Sequence, residues 1–90
     1  MHLVQFLLPL RDNERRAFPR ADFEKVRTEL TEHFGGVTAF LQSPASGAWL
    51  LFEVMVERLD REWWSGYREE LERRFRQERI VVRALGAETL

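Results

Sequence analysis

The sequence lacks the residues that most covalent and metal-dependent sites require. It has no cysteine, which excludes disulfides, thiolate metal ligands and cysteine nucleophiles. Its two histidines, His2 and His33, stand at no metal-ligand spacing. It contains no HExxH motif, acidic calcium loop, glycine-rich phosphate loop or serine elbow. We therefore expect neither a metal ion nor a cofactor.

An excess of charge of either sign is also missing. The 14 basic and 15 acidic residues give a formal net charge of −1, so no overall basic field attracts nucleic acid or anionic lipid. The apolar start, MHLVQFLLPL, has no basic n-region or small-residue cleavage site and is too short to span a bilayer. Ninety residues leave room for one core. We expect a single cytoplasmic domain over residues 1–90, with no membrane partner.

Alternating apolar residues predict four strands, His2–Leu10, Val37–Gln42, Leu50–Leu59 and Arg79–Leu85. The third, LLFEVMVERL, is the most informative. One of its faces is wholly apolar and predicts contact with a core: Leu50, Phe52, Val54 and Val56. The other mixes Leu51 and Met55 with Glu53 and Glu57, which suits neither a dry core nor plain solvent. That mixed face indicates assembly with a partner.

Two amphipathic helices are predicted between these strands. The first begins near Pro19 and ends at Gly35–Gly36, and the second begins after Asp60 as N-cap. Their apolar stripes have helical spacing and comprise Phe23, Val26, Leu30 and Phe34, then Trp64, Tyr67, Leu71 and Phe75. Acid-before-base pairs predict a solvated opposite face on the second helix: Glu69–Arg73, Glu70–Arg74 and Glu72–Arg76.

The order βαββαβ predicts an α+β ferredoxin-like sandwich. Its four-stranded antiparallel sheet has strand order four-one-three-two, with both helices on one face. The open face should present a large apolar patch, Leu3, Leu7, Phe40, Leu51, Met55, Val81 and Leu85. RNA-recognition domains share this arrangement but stack bases on aromatic residues of the two central strands. Those positions hold no aromatic residue here, and Glu53 and Glu57 repel phosphate, so we expect no nucleic-acid partner.

Several stretches resemble a family of small uncharacterised bacterial proteins: LVQFLLPL followed by DNE, ELTEHFGGVTAF, FEVMVE and RFRQERIVVRA. At the level of pattern, almost the whole chain resembles the dimeric α/β-barrel group, whose members pair sheet against sheet. The resemblance implies a homodimer. Similar chains have a longer segment before the long strand, so the join at Trp49–Leu50 departs from the pattern. Some members of the group are cofactor-free oxygenases, isomerases or haem-degrading enzymes, but none of their signature residues can be placed here.

Gln5, Glu53 and Arg83 are the main candidate site residues because they should stand in a row across the open face. Two functions follow from this row. In the first, a homodimer buries the row at its interface, with or without a small-molecule pocket. In the second, a cofactor-independent enzyme uses Glu53 as acid or base and Arg83 to anchor an anionic substrate.

Three further residues are weaker candidates. His33 is either an acid–base group or a helix-end histidine whose protonated form suits the helix dipole. Arg11 opens a polar loop that either binds an anionic ligand or serves as a solvated connection. Trp49, beside the turn-forming stretch SPASGA, either covers a ligand or caps the core.

Overall fold

The computed structural model describes residues 1–42 and 48–90. Its elements are β1 (His2–Pro9), α1 (Arg20–Phe34), β2 (Thr38–Gln42), β3 (Trp49–Val56), α2 (Arg61–Arg74) and β4 (Val82–Gly86). The strands form one antiparallel sheet in the order β2-β3-β1-β4. The predicted ferredoxin-like fold and strand order are confirmed.

The helices cover one face of the sheet, and the core lies between the two layers. Phe6 on β1 and Phe52 on β3 are paired in register, and their rings stack with centroids 5.3 Å apart. Trp64 and Tyr67 of α2 lie against Phe6 from the helix side, with centroids 6.2 and 6.4 Å away. The alternate residues of both central strands are buried as predicted: Val4, Phe6, Leu8, Phe52, Val54 and Val56. The opposite face of these strands therefore remains open.

Each helix has the terminus that its sequence predicts. Gly35 ends α1 in the left-handed conformation (φ 86°), and its N–H donates to the carbonyl of Thr31 at 2.8 Å. The Asp60 side chain caps α2 by accepting from the backbone N–H of Trp63 at 3.0 Å. These ends fix how far each helix extends across the sheet.

All four strands differ from the prediction at one end or both. β1 ends at Pro9 rather than Leu10, and β2 begins at Thr38 rather than Val37. β3 begins at Trp49 and ends at Val56, because residues 57–59 turn toward the α2 cap. β4 begins at Val82 rather than Arg79 and includes Gly86, because its pairing with β1 extends only from His2 to Phe6. The backbone N–H of Ile80 donates instead to the Glu72 carboxylate at 2.8 Å. The segment before β4 is thus held by α2, which leaves a gap beside the end of β1.

The join at Trp49–Leu50 lies inside β3, where Trp49 pairs with Pro9 and with Gln42. The turn predicted over 43–48 falls largely on residues outside the described ranges. Within 1–42 and 48–90, no helix combines the length and apolar character needed to cross a membrane.

Candidate functional site

The open sheet face is apolar, as the alternation predicts. Met55 is 51% exposed, Phe40 46% and Leu7 39%, which are high values for large hydrophobic side chains. Val81 and Leu85 are also exposed, whereas Leu3 and Leu51 are half-buried between their neighbours. A patch of this kind on a small domain is typical of interaction surfaces.

A hydrogen-bonded polar row crosses the centre of this face. Gln5 pairs in register with Glu53 on β3 and with Arg83 on β4. The Nε of Arg83 donates to Oε1 of Gln5 at 2.9 Å, and Nε2 of Gln5 donates to Oε1 of Glu53. Glu53 and Arg83 stand two strands apart, roughly 10 Å at the usual strand spacing. Gln5 therefore bridges the two charges, and its amide orientation is set from both sides.

A cleft of about 320 Å³ opens at the end of the face where β1 ends. It lies beside the gap left by the segment that precedes β4. Its lining includes Gln5, Leu7, Trp49, Leu51, Arg79 and Arg83. Three of the five residues predicted to bind a ligand, Gln5, Trp49 and Arg83, are brought together here.

Arg79 lines the cleft although the sequence did not single it out as a ligand-binding residue. The sequence does contain one indication of this placement. Arg79 alternates with Val81 and Arg83, and alternate residues of a strand lie on the same face. Gln42 and Gln77 also belong to the lining, and each comes from a different part of the chain. Only the folded sheet places them together.

Glu53 and Arg11 lie elsewhere. Glu53 is half-buried in the polar row but is not part of the cleft lining. Arg11 belongs to the loop after β1, where its Nη1 donates to the carbonyl of Arg15 at 3.0 Å. Asp12 organises this loop by accepting from the backbone N–H groups of Glu14 and Arg16. Arg11 lines a separate cavity of about 730 Å³ that shares Pro9 and Trp49 with the cleft.

His33 lies in the helix layer, on the other side of the sheet from Glu53 and Arg83. Its ring stacks on Trp63 with centroids 4.3 Å apart, and Trp63 stacks in turn on Tyr67 at 4.9 Å. The structure therefore does not bring His33 to the polar row. This placement favours a helix-end histidine over an acid–base group at the open face.

The two helices are joined by a polar cluster that the sequence did not predict. The guanidinium of Arg74 donates to both carboxylate oxygens of Glu29, at 2.6 and 2.7 Å, and Tyr67 donates to Glu29 at 3.0 Å. The hydrogen bonds from Arg74, helped by that from Tyr67, hold the pKa of Glu29 below its ordinary value. Glu29 should therefore stay ionised in the folded protein under mildly acidic conditions.

This cluster predicts an acid-dependent loss of stability. Because folding lowers the pKa of Glu29, its contribution is complete above the unfolded value near 4.5 and is lost as the pH falls through the folded value. Urea unfolding measured over this range should show a smaller acid-induced loss for Glu29→Gln than for the wild type. Glu32→Gln, on an exposed residue of the same helix, is the control and should follow the wild type. Equal losses in all three proteins would contradict the assignment.

Comparison with known proteins supports the fold. No protein-family model and no curated protein matches the chain. The structure is similar to a phage SAM lyase in complex with S-methyl-5′-thioadenosine, with a TM-score of 0.57 and 16% identity over 93% of this chain and 79% of that one. The same type of enzyme in its apo state gives a TM-score of 0.53 and 15% identity, over 93% and 78%. At this identity the similarity shows a shared ferredoxin-like α+β fold, because one fold supports many functions.

Proposed function

We propose that the protein is a homodimer whose two copies pack open face to open face and enclose a small-molecule ligand in the cleft. The observation that carries this proposal is the composition of the open face. Exposed apolar side chains surround a polar row that has opposite charges at its two ends and an amide at its centre. Such a face is complementary to a second copy of itself.

The charge complementarity depends on how the copies are oriented. A twofold axis that runs parallel to β1 and passes over Gln5 exchanges the two ends of the row between facing sheets. Glu53 of each copy then stands opposite Arg83 of the other, and the two Gln5 amides face each other. Packed sheets favour nearly aligned strands about 10 Å apart, a condition that this axis meets and that an axis across the strands also meets. An axis across the strands would instead place Glu53 opposite Glu53, which is unfavourable.

The same axis brings the cleft ends of the two faces together. Leu7 and Leu51 of one copy would face the corresponding end of the other, and the β2–β3 side would lie over the opposite β4 side. Each cleft would therefore be closed by the second copy. Enclosure would remove water from the cleft and bury most of a small ligand, as in ordinary ligand pockets.

The dimer is tested directly by its mass. We expect sedimentation velocity at micromolar concentration to give a dimer. Met55→Glu should convert it to a monomer, because a carboxylate would then be buried in the apolar part of the interface. Thr28→Glu adds the same charge on the exposed face of α1 and should leave the dimer intact. A monomeric wild type, or identical behaviour of the two variants, would rule out the open-face dimer.

A cofactor-independent enzyme is the second candidate. Its support is the placement of Glu53, whose carboxylate is held on the open face by Gln5, together with the fold shared with the phage SAM lyases. Glu53 would act as acid or base and Arg83 would hold an anionic group of the substrate. Incubation with SAM, followed by chromatography for S-methyl-5′-thioadenosine, tests this candidate for one substrate. Turnover that Glu53→Gln abolishes without changing the assembly would favour the enzyme, and absence of product would exclude a SAM lyase.

A further inference from the structure

We propose that the cleft selects an anionic ligand, with its carboxylate or phosphate group bound by Arg79 and Arg83 and its apolar part against Trp49. This inference rests on the proposed role of the cleft as a ligand site and adds the chemical class of the ligand. It is carried by three features of the cleft: its charge, the orientation of Arg83 and the nature of its apolar wall.

Both charged side chains that one copy contributes to the cleft are arginines. Arg79 and Arg83 line it, and its described lining contains no aspartate or glutamate. Within the described part of the chain, Arg79 makes no side-chain hydrogen bond or ion pair, whereas other arginines such as Arg74 and Arg16 are paired with carboxylates. In the proposed dimer Glu53 of the second copy stands opposite Arg83, so Arg79 supplies the positive charge that no carboxylate neutralises, and Arg83 supplies further N–H donors. Together they favour a ligand with negative charge.

Arg83 is held so that its terminal nitrogens remain available. Its Nε donates to Gln5, and no other side-chain hydrogen bond of Arg83 is formed among the described residues. Gln5 keeps its carbonyl toward Arg83 because its amide nitrogen donates to Glu53. Glu53 is therefore a positioning residue for Arg83. The paired Nη groups of an arginine held in this way suit the two oxygens of a carboxylate or phosphate.

The remaining walls suit a flat apolar group with a few polar atoms. Trp49, Leu7 and Leu51 form the apolar wall, and Gln42 and Gln77 are the polar uncharged residues beside it. The amide nitrogen of Gln77 donates to the carbonyl of Phe75 at 2.8 Å. The volume of about 320 Å³ lies at the lower end of the range for small-molecule sites. These dimensions favour a small aromatic or aliphatic acid, or its phosphate counterpart.

The test uses the full chain and three probes of similar shape: benzoate, phenyl phosphate and neutral benzamide. Binding is followed through the indole N–H signal of Trp49 in ¹H–¹⁵N correlation spectra, assigned with Trp49→Phe. We expect at least one anion to shift this signal with an affinity about tenfold or more above that of benzamide. The stronger of the two anions distinguishes a carboxylate from a phosphate ligand. Arg79→Gln and Arg83→Gln should each weaken that binding about tenfold, whereas Arg27→Gln, on the exposed side of α1, should not.

Unchanged indole signals of Trp63 and Trp64 would show that each variant is folded. Equal affinity for benzamide and both anions, or equal effects of Arg79→Gln and Arg27→Gln, would overturn anion selection while leaving the cleft as a ligand site. If none of the three probes shifts the Trp49 signal, the anion proposal fails together with the ligand-binding part of the proposed function. A monomeric protein that still binds an anion through both arginines would refute the dimer alone.

Discussion

Phe52→Ala is expected to lower the free energy of unfolding by about 3–5 kcal/mol, the usual cost of removing a fully buried phenylalanine ring. Phe52 is 1% exposed and stacks on Phe6 across the two central strands. The substitution removes that aromatic contact and leaves a cavity beneath the helices. For a domain of this size the whole stability is about 5–13 kcal/mol, so the variant should melt at least about 12 °C lower.

Phe40→Ala is the matched control because it removes the same side chain from the open face. Phe40 is 46% exposed on the edge strand β2, and its loss should cost the isolated chain less than about 1 kcal/mol. Urea unfolding at two protein concentrations separates the effects. The loss of unfolding free energy for Phe52→Ala should be similar at both concentrations. The loss for Phe40→Ala should change with concentration if the open face is a dimer interface. If Phe52→Ala and Phe40→Ala lowered the free energy of unfolding equally, the helix-covered face would not be the core and the open face would not be an exposed surface.

The fold was predictable because every local signal agrees with it. Strict alternation in β1 and β3 assigns one face of each strand to the core, and the two helical stripes supply the covering layer. The same alternation places Gln5, Glu53 and Arg83 on the open face. Their register follows once the order of the strands is known, so the polar row was also predictable.

The cleft was not predictable because it depends on where pairing stops. Alternation continues through Arg79–Val81, and β1 continues to Pro9, but the pairing of the two strands stops at Phe6 and Val82, and Glu72 holds Ile80 instead. The sequence does not indicate whether residues 79–81 pair with β1 or are held by the end of α2. The gap that results allows Arg79 and Trp49 to line the same cleft.

The ion pairs of α2 were only partly predictable from the spacing of charged residues along the helix. Of the three predicted pairs, Glu70–Arg74 forms at 2.6 Å. Arg73 instead joins Glu70, while Glu72 binds the backbone of Ile80. Arg74 turns toward α1 and Glu29, because a partly buried guanidinium gains more from two carboxylates than from one. Spacing along one helix carries no information about the neighbouring helix.

Glu53→Arg is expected to weaken the proposed dimer at least about 100-fold. With the twofold axis parallel to β1, the substitution places two arginines opposite each other at two symmetry-related positions. Breaking a buried ion pair from one side costs about 3–5 kcal/mol, because the remaining charge is left uncompensated, and each 1.4 kcal/mol is a factor of ten in affinity. Arg83→Glu should have a similar effect by opposing two carboxylates. Sedimentation velocity over a concentration series measures both dissociation constants.

The double variant Glu53→Arg with Arg83→Glu should recover a large part of the lost affinity. Its charges are exchanged end for end, so the same twofold axis again brings opposite charges together. Within each chain the Gln5 amide can turn over, with its carbonyl toward the new guanidinium on β3 and its nitrogen toward the new carboxylate on β4. Glu57→Arg makes the same charge change beyond the end of β3, outside the row, and should alter dimerisation little. If Glu53→Arg dimerises as tightly as Glu57→Arg, or if the folded double variant recovers no dimer affinity, then Glu53 and Arg83 do not pair between copies. The arrangement with the twofold axis parallel to β1 would then be wrong.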